Sequence, residues 1–193
     1  IACFGISFFI MIVSTPIALA ASLEGQVLGG GKPIADSSVT LWSASSEEPK
    51  QITQTKSDKD GRFTIANGNA SKDTSLYLIA KGGRPTGTDA DNPAIALMSV
   101  LGNQAPAKVT VNEMTTVAAV WTPNQFISGE TIKGHPLQLK IAAVNVPSFV
   151  NPETGGWGDA IQDPLNSSQT PTMANFASLA NVLSACVTKV TVD

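Results

Sequence analysis

From Ser22 to about Gly83 short extended runs alternate with turn signals, and this rhythm constrains the fold more than any other feature. Leu23, Gly25 and Val27 alternate with Glu24 and Gln26, and Gly29-Gly30-Gly31-Lys32-Pro33 reads as a flexible turn. Val39-Thr40-Leu41-Trp42 is β-branched and aromatic, and Gln51-Ile52-Thr53-Gln54-Thr55 alternates. Asp60-Gly61 turns the chain into Arg62-Phe63-Thr64-Ile65, and Leu76-Tyr77-Leu78-Ile79-Ala80 is an apolar run suited to a buried strand. Period-two segments separated by turns about every ten residues predict a small antiparallel sandwich.

The loop 82–93 is polar, after which Ala94-Ile95-Ala96-Leu97-Met98 and Lys108-Val109-Thr110-Val111 read as two more extended segments. The period then changes. Met114, Val117, Ala118 and Trp121 fall at helical spacing, with Asn112 as N-cap and Thr122-Pro123 as terminator. Leu137, Ile141 and Val144 predict the apolar face of a second helix, begun near Pro136 and stopped at Pro147. A loop follows over 151–171. A third helix capped by Thr172 carries Met173, Phe176, Leu179, Ala180, Leu183 and Val187 on its apolar face, with Cys186 beside it. The expected class is mainly β with α, a sandwich at 21–91 followed by a small helical segment within 92–193.

Residues 1–21 carry no charge, and Phe4, Ile6, Phe8 to Val13 form an apolar core. Pro16 and the small residues Ala18 and Ala20 then supply a cleavage pattern, so 1–20 reads as a secretory signal peptide cut after Ala20. Without an initiator Met or a basic start, that leader is expected to be truncated at its N-terminus. Export without a retained span places the protein in the periplasm, at the cell surface or outside the cell. Net charge is −3 and the 12 basic residues are scattered, which argues against nucleic acid and against an anionic membrane surface. Of the two cysteines, Cys3 leaves with the leader. Cys186 is then either a buried, inert side chain or half of a disulfide with a cysteine beyond Asp193.

Leu23-Glu24-Gly25-Gln26-Val27, Lys32-Pro33-Ile34-Ala35-Asp36-Ser37-Ser38-Val39-Thr40-Leu41 and Thr55-Lys56-Ser57-Asp58-Lys59-Asp60-Gly61-Arg62-Phe63 together resemble the carboxypeptidase regulatory-like domain. The resemblance implies a transthyretin-like (prealbumin-like) sandwich without catalytic function, used as an accessory, a spacer or a carbohydrate-binding-like module. Asn92 to Leu97, Val111 to Ala118 and Leu179 to Cys186 resemble a helical segment of exported bacterial proteins that often continue into NHL-type, streptogramin-lyase-like propellers. That likeness implies that the chain is the N-terminal module of a larger polypeptide, with Cys186 paired to a downstream cysteine.

Candidate sites are few. His135 is the only histidine, so any Ser-His-Asp device must use it, yet Gly134 and Pro136 place it in a helix-entry loop and no nucleophile accompanies it. Asp58-Lys59-Asp60-Gly61 lacks the further ligands of a calcium loop and reads as a plain turn. Asp89, Asp91 and Asn92 match no metal spacing, so neither metal nor cofactor is expected. Trp42 and Tyr77 lie in apolar strands and Trp121 on a helical apolar face. Trp157, between Gly156 and Gly158, is the aromatic expected to be exposed, and with Asp159 or Gln162 beside it forms the candidate sugar contact. Asn69-Ala70-Ser71 and Asn166-Ser167-Ser168 have the form of glycosylation acceptors. The functional expectation is a non-enzymatic exported accessory or structural module whose partners are downstream domains of the same polypeptide. The alternatives are a carbohydrate-binding module, or the front of a propeller lyase whose catalytic region lies beyond Asp193.

Overall fold

The computed structural model describes residues 22–66 and 71–188. The expected leader with Cys3, and the acceptor Asn69, lie outside them. The chain runs β1 (Ser22–Gly29), β2 (Lys32–Ala35), β3 (Ser38–Ala44), β4 (Lys50–Lys56), β5 (Arg62–Ala66), β6 (Ser75–Lys81), β7 (Arg84–Pro85), β8 (Ala96–Gly102) and β9 (Lys108–Val111). It continues through α1 (Glu113–Trp121), a 3-10 turn (Asn124–Phe126), β10 (Ile127–Ser128), β11 (Thr131–Ile132), α2 (Pro136–Phe149), α3 (Asp159–Gln162), α4 (Pro164–Ser167) and α5 (Thr172–Thr188).

The two main sheets form a sandwich. One has the order β5-β1-β2-β7, with β9 pairing parallel to β1, and the other has the order β4-β3-β6-β8, antiparallel throughout. Their inner faces meet through Leu23, Val27, Leu41, Phe63, Leu78 and Leu97, each nearly or fully buried. Apolar burial of this kind is the main force holding the layers together, at about 1.5–3 kcal/mol for a large aliphatic or aromatic side chain. Gly25 lies opposite Phe63, and a Cβ at Gly25 would stand 2.3 Å from the ring, so only glycine admits the phenyl group there. In the Asp58–Gly61 turn, Asp58 Oδ1 accepts from the backbone N–H of Asp60 (2.9 Å) and Arg62 (2.8 Å). Gly61 supplies the positive φ of 70°.

A third layer covers the second sheet. Tyr77, Ile79, Met98 and Val100 point away from the sandwich interior into a second cluster with Val117, Ala118, Leu139, Val146 and Phe176. Burial on both faces explains why Leu76 to Ala80 is apolar at every position.

Four expectations need correction. The sandwich does not end at 91, because β8 and β9 are hydrogen-bonded members of its two sheets, and the segment 82–93 itself contributes β7, paired with β2. Pro147 does not stop α2. It lies in the last turn, where its missing N–H removes one i→i−4 hydrogen bond, and the helix continues to Phe149. Leu137, Ile141 and Val144 are not the inward face, being 61%, 53% and 63% exposed, while Leu139, Ala142 and Val146 pack inward. The stretch 151–171 is not all loop, since α3 and α4 interrupt it.

Candidate functional site

Helix α1 starts where the sequence sets it. Asn112 Oδ1 accepts from Thr115 N–H at 2.9 Å, and Thr115 Oγ1 accepts from Asn112 N–H at 2.9 Å, a reciprocal capping box. Asn112 Nδ2 also donates to Gly155 O at 3.0 Å, which fastens the 151–157 loop to the helix start. Next to it, the buried carboxylate of Glu113 accepts from Gly30 N–H at 2.7 Å. Gly30 and Gly31 have φ of 57° and 75°, as a tight β1–β2 turn requires. Thr116 Oγ1 accepts from Met98 N–H at 2.9 Å and donates to Asn112 O at 2.6 Å, so the helix is also bonded to β8. The polar cluster Glu113-Met114-Thr115-Thr116 thus serves in capping and in contact with the sandwich.

Helix α5 lies beside α1. It buries Phe176, Ala180 and Val187, and its end is held by Asn92, whose Nδ2 donates to Cys186 O (3.2 Å) and Val187 O (3.1 Å). Asn92, expected as part of a polar loop, is therefore a buried clasp between that loop and the helix C-terminus. Between α1 and α5 the surface opens into a groove of about 480 Å³, lined by Thr116, Val117, Val120, Trp121, Leu179 and Leu183, with Asn124 at its edge. No charged side chain lines it. Leu179, read from the sequence as a core residue, is 50% exposed, and its neighbour Val182 is 64% exposed.

The aromatic residues gather beneath this groove. Phe176 is fully buried, with ring centroids of Trp157, Phe149 and Trp121 at 5.7, 5.9 and 6.1 Å. Trp157 is therefore not an exposed platform. Its backbone bridges to Val150, and its ring is half-buried against Phe176, because the Gly156–Gly158 turn folds inward. Gly158 permits this fold, since a Cβ there would stand 2.2 Å from Pro147 O. Asp159 is exposed at the first turn of α3, and Gln162 Nε2 reaches the carbonyl oxygen of Gly158 at 3.2 Å. Of the pair Trp157 and Asp159, the tryptophan ring is thus packed in part against Phe176 while the carboxylate faces solvent. The exposed tryptophan is Trp121, while Trp42 stacks on buried Tyr77 with centroids 6.4 Å apart.

His135 stands exposed before α2, as a helix-entry residue. Cys186 is exposed, so the buried alternative is corrected. It lies at 340° on a helical wheel centred on Leu179, away from the arc holding Phe176, Ala180 and Val187. Among the described residues no three His, Cys, Asp or Glu side chains gather to hold a metal ion. A polar groove of about 400 Å³ lies on the outer face of the first sheet, where Glu24, Gln26, Arg62 and Lys108 stand around buried Thr110. Sequence reasoning missed Val120, Leu179 and Val182 as surface residues. The available signal was that apolar residues on α5 occupy a wider arc than one packed face can bury.

No family model matches this sequence, and no curated protein matches it. Among solved structures it is similar to a 9R-lipoxygenase from Cyanothece PCC8801, at 17% identity and a TM-score of 0.35, over 54% of this chain and 17% of that one.

Proposed function

We propose that the chain is a non-catalytic, exported accessory module, with a prealbumin-like sandwich of the carboxypeptidase regulatory-like type, acting as the N-terminal part of a larger secreted or cell-envelope protein. The observation that carries this reading is the uncharged apolar surface of α1 and α5, where Val120, Trp121, Leu179 and Val182 stand exposed beside the groove. A module built to contact other protein keeps such a surface, whereas contiguous exposed apolar patches are otherwise selected against. The uncharged leader pattern supports export. The chemistry of the module is scaffolding, with a rigid double sheet holding two helices whose outer faces offer apolar contact.

The test is expression of the natural gene product in its own host, followed by mass analysis of the N-terminus in the exported fraction. The expected product begins at Ala21, and deletion of 21–188 lowers the yield of the downstream part in that fraction. Retention of an uncleaved chain in the cytoplasm would sink the export reading. Unchanged yield after the deletion would sink the accessory role.

A further inference from the structure

The exposed residues of α5 are arranged, not scattered. Asn175, Leu179, Val182 and Cys186, all exposed, follow one another at intervals of four, three and four residues, with half-buried Thr172 one step before them. Alternation of three and four residues keeps one seam of a helix on one side, where a partner helix can lie along it. The seam runs beside the buried arc formed by Phe176, Ala180 and Val187, and Leu179 also lines the groove towards α1.

We propose that this seam is the contact between two copies of the chain, with the α5 helices side by side and parallel, and that it closes with a disulfide between the two Cys186 residues. Three observations select a second copy as the occupant. On a two-fold axis each residue meets itself, so a charge would face a like charge. Thr172–Thr188 contains no charged residue, and the exposed parts of α1 that flank it, Val120 and Trp121, are also neutral. The self-facing rule that would forbid a charge brings thiol to thiol, and Cys186 is exposed on the same seam. Among the described residues it is the only cysteine, and a second copy brings a second thiol to the same seam.

Size indicates how the contact works. A helix of 17 residues is about 25 Å long and one of 9 residues about 14 Å, each about 10 Å wide, so the α1–α5 face offers roughly 400 Å² per copy. A standard stable interface uses about 800 Å² per partner, so this face alone makes a weak, transient pair. The covalent bond makes it durable, and the seam speeds the bond by holding the two thiols together.

The oxidation is thiol–disulfide exchange with a small-molecule disulfide. One Cys186 thiolate attacks that disulfide, forming a mixed disulfide and releasing one small thiol. The second copy's Cys186 thiolate then attacks the protein sulfur of the mixed disulfide. The bond between the copies forms, and the second small thiol leaves. Two protein thiols are oxidised, one disulfide is reduced to two thiols, and their protons pass to the released thiols. An oxidising compartment is needed in the cell, so the physiological form of the proposal rests on the export reading. The test in solution does not.

The full chain is incubated with glutathione disulfide and followed by non-reducing electrophoresis and light scattering. The expected product has twice the chain mass, reverts on reduction and is absent in Cys186→Ser. Leu179→Glu with Val182→Glu is expected to slow dimer formation at least about tenfold, while modification of Cys186 by a monomeric thiol reagent keeps its rate. Folding of that variant is checked by circular dichroism. In a Cys186→Ser background, Asn175→Cys on the seam is expected to cross-link and Ser178→Cys off the seam is not, so the geometry is tested even if the double variant unfolds. A stable glutathione adduct without dimer, a bond from Cys186 to another cysteine of the same polypeptide, or equal cross-linking on and off the seam would each overturn the proposal.

Discussion

Ser99 is buried in β8, and its hydroxyl has no hydrogen-bond partner among the described residues. An unpaired buried hydroxyl costs about 1–3 kcal/mol, so removing it should help the fold. Ser99→Ala is expected to raise the unfolding free energy by about 1 kcal/mol in urea titration, allowing for the small loss of packing. A clear loss of stability would mean that the hydroxyl does have a partner. Tyr77 makes the opposite case, that of a buried polar group that is held. Its oxygen accepts from Ile132 N–H at 3.3 Å. Burial pushes the phenol above its ordinary value, and this hydrogen bond opposes the shift only in part. A raised folded-state pKa means that the folded state keeps its proton longer than the unfolded state does. Stability is then intact below the ordinary tyrosine value of about 10 and falls as pH rises from there through the folded value. Tyr77 is the only tyrosine, so ultraviolet absorbance of tyrosinate follows it alone. Its titration is expected above the ordinary value, together with loss of fold, and ionisation at the ordinary value with the fold intact would contradict its burial.

At the scale of elements, the strands were legible in the sequence and the helix faces were not. The strands of the sandwich bury one face or both, and period two gives only two faces to choose from. On α2 two apolar arcs compete. Leu137, Ile141 and Val144 differ from their inward rivals Leu139, Ala142 and Val146 only in carrying Ile in place of Ala, and hydrophobicity alone favours the arc that is solvent-exposed. The inward arc wins because it includes Ala142, small enough for close packing near the sheet. Leu139→Ala is expected to cost about 2–5 kcal/mol, and Leu137→Ala to stay within about 0.5 kcal/mol. Equal losses in thermal melts would restore the discarded face. The site residues misread from sequence share this cause. Trp157 sits between glycines, which suggests an open loop, but the same glycines let the backbone fold onto Pro147 and Phe149 and carry the ring to Phe176. Leu179 was read onto the packed face of α5, whereas it is 50% exposed, and Val182 was assigned to neither face.

At the scale of the whole molecule, the two sheets and the helices form three layers sharing the strands β6 and β8. Leu78 and Leu97 face the sandwich interior while Tyr77, Ile79, Met98 and Val100 face the helices. The unbroken apolar run of β6 was the one trace of the third layer in the sequence. The boundary at 91 failed because the polar stretch 82–93 has the composition of a linker, although Asn92 within it clasps the end of α5. Ties of this kind recur from end to end: Glu113 to Gly30, Thr116 to Met98, and Lys133 paired with Glu48. They make the helical layer part of the folding unit rather than an appendage. A chain ending at residue 91 lacks β8 and β9, leaving β6 without one hydrogen-bonded neighbour and β1 without its parallel partner, and it is expected to give no cooperative melting transition.

Native-state hydrogen exchange on the full chain tests this three-layer unity most directly. The expected result is one slow-exchanging set in which backbone amides of β3, β6 and β8 and the buried turns of α1 and α2 open with the same free energy, the global value. Helical amides that exchange orders of magnitude faster than those of β6, under conditions where the sheets stay protected, would contradict it and make the helices a separate, loosely attached unit.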